Sequence, residues 1–109
     1  MIVIDASVLA PALAADDVQG DRFRARLRGH ILTAPALVDL EVMSVLRHAL
    51  VSGKLDQRRA ALALQDLANL PLHRAAHLPL LPRAWALCGN LTPYDAAYVA
   101  LAESLGASW

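Results

Sequence analysis

Cysteine is nearly absent from this sequence. Cys88 is the only one among 109 residues, so no disulfide can form within the chain. No apolar run reaches the ~18 residues that a membrane-spanning helix needs. No basic segment precedes the first apolar run, and we therefore expect no signal peptide. These absences predict a protein of the reducing cytoplasm without membrane contact.

The sequence also lacks an excess of positive or negative charge. Ten basic residues balance ten acidic ones, so the bulk charge does not indicate nucleic-acid binding, although it leaves room for a local basic patch. Glutamate occurs only as Glu41 and Glu103. Hydrophobic residues, in contrast, make up 57% of the chain, which excludes extensive disorder. The length and this composition predict one domain over residues 1–109.

The first ten residues, MIVIDASVLA, contain the strongest local pattern. Met1 to Ile4 form a short apolar run without polar alternation, which is typical of a strand covered on both faces in a parallel sheet. Asp5 follows at the carboxyl end of this strand, where open α/β sheets place their sites. The alternative is structural, because Asp5 or Ser7 can cap the next helix.

Helix and strand patterns alternate along the rest of the chain, which predicts an α/β fold with a parallel sheet. Pro11 is expected in the first turn of its helix, Pro35 is expected to end the second strand, and Trp85 is expected in the core. The predicted helices are 8–15, 18–28, 36–52, 56–68, 79–88 and 92–103, and the further strands are 30–34 and 70–73.

Four arginines of the second predicted helix form two i,i+4 pairs, Arg22 with Arg26 and Arg24 with Arg28. The structural interpretation is a solvated helix face. The functional one is a basic rim for RNA or a protein partner.

Glu41 and Asp95 complete a set of three acids with Asp5. Glu41 lies on or beside the apolar stripe of its helix, and a buried charge needs a compensating cation, hydrogen bond or metal. Asp95 lies in the first turn after Thr92-Pro93, where a capping box explains it fully on local grounds. If the three carboxylates meet, they repel one another, and a divalent cation such as Mg²⁺ or Mn²⁺ removes that conflict.

Three blocks of the sequence resemble those of PIN domains, most closely the VapC-like toxin ribonucleases. They are MIVIDASVLA with Asp5, APALVDLEVMSVLR with Glu41, and NLTPYDAAYVALAESLGA with Asp95. The resemblance implies a PIN-like three-layer α/β/α fold and a Mg²⁺-dependent (or Mn²⁺-dependent) endoribonuclease. It assigns Asp5, Glu41 and Asp95 as metal-binding catalytic residues, supported by Ser7 and Thr92. It also implies an RNA substrate, a VapB-like antitoxin and a homodimer.

The chain departs from the family pattern at its C-terminus. Family members continue past the LGA block into a fourth strand, a fourth acidic position and a fifth strand, for which this chain has no counterpart. The PIN-like domain is therefore expected to be incomplete, with Met1–Asp5 as an exposed edge strand. The alternative to a ribonuclease is a catalytically impaired PIN domain that acts only by binding an antitoxin or another partner.

Overall fold

A computed structural model describes all residues, Met1–Trp109. By their packing these residues form two compact units, each built from several chain segments. One unit comprises Met1–Ile4, His30–Leu37 and Leu72–Trp109, and the other comprises Asp5–Gly29 and Val38–Pro71. We call them the sheet unit and the helical unit. That the chain is one domain stays a prediction.

The sheet unit contains the three strands of the chain. They run parallel in the order β1-β2-β3, with Ile2 opposite Leu32 and Leu32 opposite Leu72. The α/β prediction with a parallel sheet is thereby confirmed. The elements of this unit are β1 (Ile2–Val3), β2 (Leu32–Pro35), β3 (Leu72–Ala75), a 3₁₀ turn (Leu78–Leu80), α5 (Leu81–Leu87) and α6 (Pro93–Leu105).

Helix α6 is the main packing partner of the sheet and contacts both β1 and β2. Small side chains at Ala96, Ala97 and Ala100 are buried along it and allow a close approach. Tyr98 is almost completely buried, and its ring stacks on that of Trp109 with 5.4 Å between the ring centroids. The C-terminal residue is thus fixed against the core of this unit.

The outer edge of β1 is partly covered by the C-terminal residues. Ser108 forms a parallel bridge with Ile2, and the backbone N–H of Val3 donates to the Ser108 carbonyl at 2.9 Å. β1 is the edge strand of the sheet, as predicted. Its free edge is nevertheless paired at one point, because Ser108 lies beside it as a neighbouring strand would.

The helical unit contains four helices, of which α1 contacts the other three. Val38, Val42 and Leu46 form the buried stripe of α3, at the i,i+4 spacing that places side chains on one helix face. The helices are α1 (Ala6–Ala14), α2 (Val18–Leu27), α3 (Val38–Val51) and α4 (Gln57–Asn69).

Local capping signals fix most helix ends. Asp17 and Asp56 accept hydrogen bonds from the backbone of Gly20 and Arg59 at the starts of α2 and α4. Gly106 ends α6 in the left-handed conformation with φ of 60°, which is unfavourable for other residues. No helix is both long enough and apolar enough to cross a membrane.

Two expectations about single residues, Trp85 and Pro11, are wrong. Trp85 is not in the core: 81% of it is exposed, because α5 buries the neighbouring Ala84 instead. Pro11 lies inside α1 rather than in its first turn, since Asp5 starts the helix earlier than predicted. The expectation that the second strand ends at Pro35 agrees with the structure: Pro35 is the last residue of β2 and pairs with Ala75, and the N–H of Ala36 donates to the Ala75 carbonyl.

Candidate functional site

Asp5 is the N-cap of α1, two residues after β1 ends, and it directly follows the buried residue Ile4. Its Oδ1 atom accepts hydrogen bonds from the Ser7 backbone N–H at 3.1 Å and from the Ser7 hydroxyl at 2.5 Å. The structural interpretation of Asp5 is therefore confirmed. The same two bonds hold a partly exposed carboxylate in one orientation, as a metal ligand requires.

Glu41 lies in the first turn of α3 and is partly buried. It lies beside the buried stripe of Val38 and Val42, as predicted, whereas Val45 of the predicted stripe is 44% exposed. A carboxylate in this position is favoured by the positive end of the helix dipole. Glu41 is thus held next to a packed core on a rigid element.

Asp95 is the third residue of α6 and is exposed. Its backbone N–H donates to the Thr92 hydroxyl at 3.1 Å, which confirms Thr92 as the N-cap. Pro93 occupies the first helical position, where its missing N–H costs nothing. The backbone of Asp95 is therefore fixed, and its side chain stands at a helix N-terminus.

The three acids are divided between the two units. Asp5 and Glu41 belong to the helical unit, on α1 and α3, and these two helices contact each other. Asp95 belongs to the sheet unit. Neither unit alone contains three or more His, Cys, Asp or Glu residues grouped to hold a metal ion. The meeting of all three carboxylates stays a prediction.

All three acids share one local setting, the N-terminal end of a helix. Unpaired N–H groups and the helix dipole make such ends favourable for carboxylates and also for phosphate groups. Carboxylate oxygens are in addition the ligands that Mg²⁺ and Mn²⁺ prefer. This donor chemistry fits a hard divalent cation better than zinc.

Arg24 has a structural role that the sequence pattern did not indicate. Arg24 donates to the carbonyls of Ala12 and Ala15 at 3.0 and 2.8 Å and pairs with Asp21 at 2.6 Å. The guanidinium of Arg24 therefore binds the end of α1 and is not freely available to a basic rim. Arg22, Arg26 and Arg28 are exposed, and for them both interpretations stay open.

Each unit has a groove on its surface. The groove of the helical unit has a volume of ≈ 850 Å³, with apolar residues such as Leu46 on its floor and charges of both signs, including Asp16 and Lys54, around it. The groove of the sheet unit, ≈ 480 Å³, is almost purely apolar and lies beside Trp85 and Tyr94.

Comparison with known proteins gives one consistent result. The family model of the PIN domain matches residues 2–109. Ribonuclease VapC1 of Mycobacterium tuberculosis is 39% identical over 104 residues, which cover 94% of this chain and 78% of that protein. Ribonuclease VapC12 of the same species is 38% identical, with 97% and 81% covered. Ribonuclease VapC9, also of this species, is 40% identical, with 96% and 80% covered.

A solved structure supports the fold independently. The crystal structure of M. tuberculosis VapC20, described as a toxin that cleaves the sarcin-ricin loop, superposes with a TM-score of 0.72. It covers 98% of this chain and 85% of VapC20, at 18% sequence identity. The solved structure agrees with the fold described above, and the family model and the relatives fix the family: the chain belongs to the PIN domain family, as a protein of the VapC ribonuclease toxin type.

Proposed function

We propose that this protein is a divalent-metal-dependent endoribonuclease that hydrolyses phosphodiester bonds of RNA. The observation that carries the proposal is its identity of 38–40% with proteins named ribonucleases over more than nine-tenths of the chain. The positions of Asp5, Glu41 and Asp95 at helix N-terminal ends support it, because such ends suit both metal-bound carboxylates and phosphate.

In this proposal Asp5, Glu41 and Asp95 would hold one or two Mg²⁺ or Mn²⁺ ions. A metal ion held there would supply Lewis-acid chemistry, namely a lower pKa for a bound water and polarisation of a phosphate. Ser7 orients Asp5 through its hydroxyl, and Thr92 fixes the first turn of the helix that carries Asp95. In this proposal both hydroxyl residues position the acids.

The protein is further proposed to act in the cytoplasm as the toxin of a toxin–antitoxin pair, bound by a VapB-like antitoxin. Its relatives support this pairing through their VapC type. The lone cysteine, Cys88, is consistent with a reducing compartment. A short reading frame beside the gene would supply the antitoxin for a direct binding test.

The test is RNA cleavage with Mg²⁺ or Mn²⁺ by the unaltered chain and by Asp5→Asn, Glu41→Gln and Asp95→Asn. Asparagine at position 5 still caps α1, so the exchange removes charge without removing the cap. We expect each exchange to lower cleavage by more than the roughly 10–100-fold typical of groups outside the ligand set. Asp66→Asn, an exposed acid of α4, is the matched control and keeps full activity.

Metal binding gives a second readout that does not depend on choosing the right RNA. Calorimetric titration with Mn²⁺ should show binding to the unaltered chain and to Asp66→Asn, and weakened binding to the other three variants. Equal cleavage and equal Mn²⁺ binding by all variants would refute the proposed site. If the unaltered chain itself cleaves RNA no faster than the background without protein, the chain is instead assigned as the impaired, antitoxin-binding alternative.

A further inference from the structure

The groove of the sheet unit lies at the edge of the sheet where the strands end. Leu37 lines the groove and comes two residues after the end of β2. His77 lines it as well and comes two residues after the end of β3. The carboxyl ends of parallel strands form the edge at which open α/β sheets bind their ligands. The position of the ≈ 480 Å³ groove therefore indicates a binding site, and its volume is in the range of small-molecule pockets.

The first turn of α6 connects this groove with the proposed nuclease site. Pro93 and Tyr94 line the groove, and Asp95 is the next residue of the helix. Neighbouring Cα atoms are ~3.8 Å apart, so that a molecule bound at Asp95 is within reach of the groove. A phosphate group bound there can bring the base of its own or the neighbouring nucleotide to the groove.

The charge of the groove suits a base and not a phosphate. No aspartate, glutamate, lysine or arginine lines it. The only charged residue of α5 is Arg83, and its guanidinium is already paired with Glu103 through bonds of 2.7 and 3.0 Å. Phosphate groups bind where arginine, lysine or backbone N–H groups are available. The flat face of a nucleobase, in contrast, stacks well on uncharged aromatic walls.

Two aromatic side chains with large exposed surfaces line the groove. Trp85 is 81% exposed and Tyr94 is 62% exposed. Apolar surface left in water lowers stability unless a partner covers it. Exposed aromatic rings are also the usual means by which proteins hold the unpaired bases of single-stranded RNA. The Tyr94 hydroxyl and the His77 imidazole add hydrogen-bonding groups that can meet the edge of a base.

We propose that this groove is a base-binding site, which takes one unpaired nucleobase of the RNA substrate beside the phosphate held at Asp95. The base stacks against Tyr94 and Trp85. The proposal rests on the proposed ribonuclease function, which supplies the RNA, and it adds a preference for single-stranded over double-stranded RNA, because paired bases in a duplex do not offer a free face.

The first experiment measures RNA binding by the full chain in EDTA, so that a metal-dependent nuclease leaves the RNA intact. The probe is a fluorescein-labelled single-stranded RNA of mixed sequence, followed by anisotropy. Because Tyr94 is exposed, its exchange leaves the fold intact. Tyr94→Ala should raise the dissociation constant about 5–150-fold, the range for the loss of one stacked base. Tyr94→Phe keeps the ring and should bind nearly as tightly as the unaltered chain, and Val51→Ala, at a 75% exposed position of α3, is the control.

Fluorescence reports on Trp85 directly in Trp109→Phe, because Trp85 is then the only tryptophan. Stacking of a base should quench its emission when the single-stranded RNA is added. An abasic RNA of the same length retains every phosphate and should not quench it. The same RNA annealed to its complement should not quench it either, because its bases are paired.

Equal affinity for the RNA and for the abasic RNA would overturn the proposal, as would unchanged affinity in Tyr94→Ala. Emission that changes with protein concentration but not with RNA would also overturn it and assign the groove to a protein contact. These outcomes do not depend on cleavage. Base-dependent quenching by a chain that fails to cleave RNA supports the base-binding site and refutes only the nuclease proposal, whereas cleavage without base-dependent binding does the reverse.

Discussion

Arg24 and Arg59, from two different helices, donate hydrogen bonds to the same end of α1. Arg59 binds the carbonyls of Leu13 and Ala14 at 3.0 and 3.1 Å, and Arg24 binds those of Ala12 and Ala15. The last carbonyls of a helix lack partners within the helix and carry the negative end of its dipole. The two guanidinium groups donate hydrogen bonds to these carbonyls and also place positive charge at the negative end of the dipole.

Replacing Arg59 by methionine should therefore destabilise the protein. Methionine keeps the apolar stem but leaves the two carbonyls without their charged donor, and it also breaks the 3.0 Å ion pair with Asp16. We expect a loss of about 1–2 kcal/mol in the free energy of unfolding, measured by urea denaturation. Arg58→Met is the control, because Arg58 is exposed on the same helix. Equal losses for both variants would contradict this role.

The carbonyl of Ala15 restricts a second position. A Cβ atom added at Gly20 would lie 2.1 Å from this oxygen. Glycine to alanine inside a helix ordinarily stabilises by up to ~1 kcal/mol, but Gly20→Ala must displace the backbone that Arg24 binds. We therefore expect a destabilisation of about 1–3 kcal/mol. Gly89→Ala, where a Cβ meets nothing within 4 Å, should be close to neutral in the same denaturation experiment.

These relationships show what the sequence could and could not predict. Helix ends at Asp56, Thr92 and Gly106 were predictable, because a cap is a local interaction between residues two to four positions apart. The partners of Arg59 are more than 40 positions away in the chain, and no local pattern contains them.

The candidate site also has features that the local sequence predicts and features that it does not. The caps formed by Asp5 and Thr92 were predictable from neighbouring residues. The exposure of Trp85 was not, because hydrophobicity alone does not say whether a side chain on a short helix meets its own core or a partner. Whether Asp5, Glu41 and Asp95 meet depends on tertiary packing. The predicted parallel α/β topology allows them to converge, and the resemblance to PIN domains implies that they do.

The pair of Arg83 and Glu103 makes a prediction about pH. The hydrogen bond from Arg83, followed by its charge, holds the pKa of Glu103 below its ordinary value. A carboxyl with a lowered folded-state pKa contributes stability above its unfolded-state pKa, and this contribution is lost as the pH falls through the folded-state pKa. Glu103→Gln should thus lower the melting temperature slightly at pH 7, and the difference should vanish in acid.

The pH dependence expected for Glu103→Gln needs a control variant, because many carboxylates of the protein titrate over the same acid range. Asp66→Asn removes an exposed acid of α4, and its melting curve should follow that of the unaltered chain at both pH values. Raising the ionic strength should reduce the Glu103→Gln effect, since both partners are solvent-exposed. A difference that grows towards low pH would contradict the ion-pair explanation.

Ser7 gives the most direct test of how Asp5 is positioned. Its hydroxyl donates to Asp5 Oδ1 at 2.5 Å, while its backbone N–H independently completes the cap of α1. Ser7→Ala removes only the first bond, and because Ser7 is exposed, the melting temperature should change little. We expect the Mn²⁺ affinity and the RNA cleavage rate to fall about 10–100-fold, as when a group that orients a metal ligand is lost.

The Ser7→Thr variant tests whether the hydroxyl of residue 7, and not merely a small side chain there, is needed to position Asp5. Ser7→Thr keeps a hydroxyl at the same position on the chain and should recover most of the metal affinity, whereas Ser7→Ala should not. The Mn²⁺ titration decides the question without an RNA substrate. If alanine and threonine bind Mn²⁺ as tightly as serine does, the short hydrogen bond to Asp5 serves only the start of α1 and has no part in holding a metal.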